Sequence, residues 1–138
     1  MRRFYCLWLL TFLLMEGLSA SERVVRLKIV ETTDVHGNYY PYDFIGQRDA
    51  AGSLARVYDF VQKERKTYGD NLILLDNGDF LQGQPSAYYY NYIDTVAPHL
   101  GAEMLNFMGY DAATVGNHDI ETGRAVFDRW AADCNFPV

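Results

Sequence analysis

Three short clusters hold the side chains able to do chemistry: Asp34-Val35-His36, Gly78-Asp79 and Gly116-Asn117-His118-Asp119. Aspartate, histidine and asparagine supply the oxygen and nitrogen donors that divalent cations take. Their number suits a pair of such ions, and His118, next to one candidate ligand, is placed to handle protons. Together they suit metal-assisted hydrolysis of a phosphoester. Taken singly, each cluster also fits a plain turn, because Asp, Asn and Gly favour turns for reasons of their own. The ordered set is the stronger signal.

The elements that must position these clusters can be read from periodicity. Val24 to Thr32 (VVRLKIVET) alternates and is rich in β-branched residues, as a strand would be. A loop containing Tyr39-Tyr40-Pro41-Tyr42 follows to about Ala51. Ser53 is placed to cap a helix reaching Tyr68, with Leu54, Val57, Phe60 and Val61 on one face, and Gly69-Asp70-Asn71 breaks it. Leu72-Ile73-Leu74-Leu75 reads as a strand covered on both faces. Helices are expected over Ser86–Ile93, Pro98–Met108 and Glu121–Asp133, with a third strand from Asp111 to Val115. Asn135-Phe136-Pro137-Val138 resembles the start of a fourth strand, and no repeat, linker or low-complexity tract interrupts the order. Alternating strands and helices imply βαβ units around a largely parallel sheet. Such sheets bind ligands beyond the carboxyl ends of their strands, where all three clusters fall.

Composition narrows the setting. Met1-Arg2-Arg3, the apolar run Phe4 to Met15 and the small residues Gly17-Leu18-Ser19-Ala20 have the anatomy of a secretory signal peptide. The expected organisation is therefore a leader over residues 1–20 and an exported domain, periplasmic or secreted, over 21–138. The apolar run is short for a membrane span, so no stable membrane association is expected after cleavage. Removing Arg2, Arg3 and Glu16 with the leader leaves 10 basic and 17 acidic residues among the 12 and 18 of the whole chain. That acidic balance argues against a nucleic-acid polymer as partner, but not against a phosphate substrate once cations invert the local sign. Cys134 alone survives processing, so no internal disulfide is expected, and it is read as structural.

The clusters, with the wider stretches KIVETTDVHGN, LLDNGDFLQGQP and YDAATVGNHD, resemble the calcineurin-like metallophosphoesterases. More narrowly they are similar to the exported 5′-nucleotidase and 2′,3′-cyclic-nucleotide phosphodiesterase family. The resemblance implies an α/β fold, here an incomplete four-layer α/β/β/α sandwich. It implies two divalent metal ions, Mn, Zn, Fe or Co. Asp34 and His36 would hold the first, Asp79 would bridge both and Asn117 would hold the second. His118 would act on the substrate phosphate and the leaving oxygen, and Glu121, three positions on, would orient it. The implied substrate is a nucleotide or other small phosphoester, in nucleotide catabolism and salvage, with mononucleotides and cyclic nucleotides both open. The family completes its site with further histidines and a carboxy-terminal nucleotide-binding domain, which are expected to be missing at Val138. The competing expectation is a non-catalytic fragment that keeps half of the dinuclear site. His99 reads as a cap or surface residue and Asp76 as a strand end. Tyr88-Tyr89-Tyr90 and Tyr92 could meet a base, although packing onto the sheet is the commoner role of such rings.

Overall fold

The computed structural model describes residues 23–138. The expected leader lies outside the described residues. Strand β1 (Lys28–Thr32) pairs in parallel with β4 (Leu72–Asp76), and β4 pairs in parallel with β5 (Ala112–Ala113). A small antiparallel pair, β2 (Tyr42–Asp43) and β3 (Arg48–Asp49), ornaments the segment read as loop. Helix α1 (Leu54–Tyr68) makes the first crossover. A short helix α2 (Pro85–Tyr88), which widens into a π-helical turn over Tyr89–Ile93, begins the second, and α3 (Leu100–Met108) completes it. A one-turn helix α4 (Asn117–Glu121) and α5 (Arg124–Asp133) follow β5.

Local chemistry explains most boundaries. The Ser53 hydroxyl accepts from the Arg56 amide at 3.3 Å, satisfying one of the donors that a helix start leaves free. The α3 helix ends at Gly109 in the left-handed conformation, and the Arg65 guanidinium of α1 donates to the Met108 and Gly109 carbonyls there at 2.6 and 2.8 Å. The helix expected over Glu121–Asp133 is instead broken by Thr122-Gly123, where Gly123 takes a φ of 91°. Its first turn slides back onto Asn117 and His118. The third strand is shorter than expected, yet the Asp111 and Thr114 amides still donate to Leu74 and Asp76 carbonyls. Beyond it, the Ala113 amide donates to the Pro137 carbonyl at 3.0 Å, so the final residues do begin to pair with β5.

One cluster joins Val30, Leu72 and Leu74 of the sheet to Leu54, Val61, Leu105, Met108, Val126 and Trp130 of the helices. The strands therefore bury alternate residues, and among the described residues the other face is open, with Ile29 61 % exposed opposite half-buried Ile73. This corrects the reading of β4 as covered on both faces. Phe60 is also more exposed than its place in the α1 pattern suggests; its ring lies under the Lys28 ammonium instead.

Two buried titratable groups flank the carboxyl ends of the strands. Asp76 accepts from the Thr32 hydroxyl at 2.7 Å and the Gly78 amide at 3.2 Å, and Thr32 also meets the Tyr110 hydroxyl. Burial pushes its carboxyl up to about 6. His99 caps α3 as expected, its Nδ1 accepting from the Gly101 amide, but it is fully buried rather than at the surface. Its Nε2 then donates to Asn91, whose amide nitrogen donates to the Leu81 carbonyl at 2.7 Å. Burial, and secondarily the Arg129 charge, hold the imidazole down at about 4.

The signs of these shifts oppose each other. The His99 imidazole stays neutral in the folded chain while the unfolded chain takes up a proton, so stability is lost as pH falls from about 6.5 to 4. Asp76 does the reverse, because the folded chain takes up its proton first. Each effect is worth on the order of 3 kcal/mol. We expect His99→Gln to gain stability relative to the parent, by roughly that amount, between pH 6.5 and 4 in urea titrations. Parallel pH profiles for the two proteins would contradict the assignment.

Candidate metal centre

The ladder between β1 and β4 does not stop where the strands do. The Asn77 amide donates to the Thr32 carbonyl, Asp34 to Gly78, His36 to Asp79 and Gly37 to Phe80, all between 2.7 and 3.1 Å. The two loops are thereby zipped in register, and Asp34, His36 and Asp79 arrive at one place. All three take left-handed backbone conformations, with φ of 54°, 50° and 57°. Such angles cost a non-glycine residue on the order of 1–3 kcal/mol each and cluster at functional sites. A fourth non-glycine residue with positive φ, Gln47, sits in the turn between β2 and β3.

The loop after β4 is shaped by Asp119. Its buried carboxylate accepts from the amides of Asp79 (2.7 Å), Phe80 (2.8 Å), Leu81 (2.7 Å) and Gly116 (2.9 Å). Asp79 is turned toward α4, where its Oδ1 accepts from the His118 amide at 2.9 Å. The approach is close enough to demand glycine: a Cβ on Gly116 would run into the Asp79 carboxylate, and one on Gly78 would strike the Gly116 backbone.

The result brings ligand atoms of His36, Asp79 and His118 within 4.8 Å of one another. The His36 Nδ1 lies 2.9 Å from the Gln82 carbonyl, which can only accept, so Nδ1 carries the proton and Nε2 keeps its lone pair. That is the tautomer a metal needs, and it marks the donor set as fit for a divalent cation. The Asp34 carboxylate lies 3.7 Å from His36 Nε2 and is 62 % exposed, outside the tight group but adjoining it. Asn117 opens α4 and is exposed. His118 Nδ1 meets Glu121 Oε2 at 2.9 Å, and this bond raises the imidazole above its ordinary value while lowering the Glu121 carboxyl. Asn38 closes a tight turn on the Val35 carbonyl. Half-buried Cys134 has a thiol that burial pushes up to about 12, which makes it inert at neutral pH.

Asp119, as the organiser of the loops, is the residue the sequence reading left without a role. Its partners are backbone amides, which have no residue-specific signature. Its position three residues into a helix that follows a glycine was the available hint.

The calcineurin-like phosphoesterase model matches residues 27–137, and the chain belongs to that family. The trifunctional nucleotide phosphoesterase YfkN of Bacillus subtilis is 35 % identical over 83 % of this chain and 8 % of its own length. Its crystal structure superposes with a TM-score of 0.75 over 82 % of this chain and 36 % of that one, at 34 % identity. A 2′,3′-cyclic-nucleotide 2′-phosphodiesterase/3′-nucleotidase of Yersinia enterocolitica is 28 % identical over 86 % of this chain and 19 % of its own. The 5′-nucleotidase of Rattus norvegicus is 30 % identical over 81 % and 19 %. The chain thus spans a fifth or less of the length of these curated relatives.

Two outcomes follow from the geometry. Asp119→Asn would turn an NH₂ group toward backbone N–H groups, and the loss of stability should be at least about 2 kcal/mol by thermal or urea denaturation; a change within experimental error would contradict the clamp. Glu121→Gln should bring the His118 imidazole back down toward its ordinary value in an NMR titration, while an unmoved midpoint would dissociate the pair.

Proposed function

We propose that this chain serves the metal-dependent hydrolysis of nucleotide phosphoesters in nucleotide salvage, as the front part of a phosphoesterase catalytic domain over residues 21–138. The observation that carries the reading is the convergence of His36 and Asp79, both on strained loop ends, with His118 of α4 at the mouth of the sheet. The names of the relatives support nucleotides as the substrate class. Export is proposed from the basic and apolar leader, and N-terminal sequencing of secreted material should find Ser21 first; an intact Met1 would refute cleavage.

His36 through Nε2, the free Asp79 oxygen, Asp34 and the Asn117 amide oxygen are the groups that would hold two divalent ions. When bound, such ions polarise phosphoryl oxygens and acidify water. The protein's own contribution is positional and acid–base. The Asp119 clamp and the loop zipper fix the donors before any ligand arrives, so little reorganisation is left for binding. Glu121 holds the His118 ring through Nδ1 and favours its charged form. The other nitrogen, Nε2, is then a proton donor suited to a departing alkoxide, and its charge suits the phosphoryl oxygens.

A second reading, metal binding without turnover, is favoured by the three-donor count of the tight group among the described residues. One assay separates the two. With added Mn²⁺, hydrolysis of bis(p-nitrophenyl) phosphate by the chain should be measurable, should fall to background in Asp79→Asn and should vanish with chelator. Turnover that survives Asp79→Asn would refute the site, and saturable Mn²⁺ binding without turnover would establish the second reading.

A further inference from the structure

His36 can serve a cation through Nε2 only while its ring keeps one tautomer, and the Gln82 carbonyl at Nδ1 sets that tautomer. What sets Gln82 lies deeper in the fold. The Leu81 peptide before it is gripped on both sides, its amide by the Asp119 carboxylate and its carbonyl by the Asn91 amide nitrogen, each at 2.7 Å. The residues after it lie against His36. A Cβ on Gly83 would strike the His36 carbonyl, and the Gln84 amide donates to that carbonyl at 3.1 Å. Asn91 is thus the side chain that fastens this strip to the core, one residue before Gln82.

Behind Asn91, hydrogen bonding can run in one direction only. The Gly101 amide can only donate, so His99 Nδ1 accepts from it and the neutral ring carries its proton on Nε2. That proton goes to Asn91 Oδ1 at 2.9 Å, which turns the Asn91 NH₂ toward the Leu81 carbonyl. Donor and acceptor are thereby assigned from a backbone amide of α3 to Leu81, and again from the Gln82 carbonyl to His36.

The surroundings hold this relay in place. Asn91 and His99 are 4 % and 0 % exposed, and burial penalises such polar groups unless they are hydrogen-bonded. The π-helical turn over Tyr89–Ile93 buries Asn91 and leaves Tyr88 and Tyr92 59 % and 45 % exposed, so these rings do not seal a helix onto the sheet as expected. Turns of this kind are rare and recur at functional sites. Arg129 of α5 donates to the Tyr90 and Asp94 carbonyls of the turn, and Asp133 of α5 accepts from the His99 amide. We propose that Asn91 and His99 are positioning residues for the metal centre, their relay fixing the Leu81–Gln82 segment so that its carbonyl holds His36 with Nε2 free for the cation. This rests on the metal-dependent reading above and adds to it two residues that touch neither metal nor substrate.

Calorimetric titration of the chain with Mn²⁺, together with the ring ¹⁵N shifts of His36 in the metal-free chain, tests it. Asn91→Leu should weaken Mn²⁺ binding roughly tenfold or more, the range for partners that orient a metal ligand. It should also release His36 into a mixture of tautomers. His99→Gln offers a donor in place of Nε2 and should leave affinity and tautomer as in the parent, whereas His99→Leu, which offers none, should follow Asn91→Leu. Where Asn91→Leu does not fold, the two His99 variants decide. Parental affinity and tautomer in folded Asn91→Leu, or equal losses in His99→Gln and His99→Leu, would reduce the relay to structural support and overturn the proposal. If the parent itself takes up no Mn²⁺, the metal reading fails, and the His36 tautomer alone still decides whether the relay sets the ring.

Discussion

The carboxylate of Asp119 organises this molecule more than any other single group. A buried charge is tolerated only when its lone pairs are satisfied, and here the donors are amides of Asp79, Phe80, Leu81 and Gly116. Those bonds bend the loop after β4 around one point and tie it to the segment after β5. The third chain segment of the site, Asp34 to Gly37, is then added by the ladder that continues past β1. Loops from three strand ends thus share one geometry set by hydrogen bonds to main-chain atoms, which substitutions elsewhere do not easily loosen.

The strained conformations of Asp34, His36 and Asp79 follow from the same constraint. Each residue would relax if its loop were free. The zipper and the clamp hold them, and the glycines at 78 and 116 leave the room that the crossing backbones need. Behind the loops, the relay from His99 through Asn91 to the Leu81 carbonyl anchors the chain that follows the clamp. Core packing, loop geometry and the donor set are therefore one continuous structure, running from Trp130 and Leu105 through the relay to the three ligand atoms.

How much of this is legible in the sequence depends on which atoms do the work. Ser53 announces its helix because its side chain makes the cap, and the clusters at 34–36, 78–79 and 116–119 are visible because their side chains carry the chemistry. The parallel order of β1, β4 and β5 follows from the spacing of apolar runs. The role of Asp119 is hinted at only by its place three residues past Gly116, because its partners are amides, which carry no residue-specific signature. His99 reads as a cap correctly, but its burial depends on packing between α3 and α5 that no local pattern encodes. The break at Thr122-Gly123 moves His118 from a loop onto a helix turn, a difference produced by the left-handed Gly123. The exposure of Ile29 and Phe60 likewise belongs to the arrangement of layers, since alternation alone does not say which face is covered.

The central claim is that His36 and His118, far apart in sequence, are ligand-distance neighbours at a site prepared for a divalent cation. The chain has three histidines, at 36, 99 and 118, so their ring resonances report on it directly. Adding Mn²⁺ at substoichiometric levels while recording these resonances is the most direct measurement, because paramagnetic broadening falls steeply with distance. The account predicts that His36 and His118 broaden together, and before His99. Broadening of one without the other, or of all three alike, would contradict it.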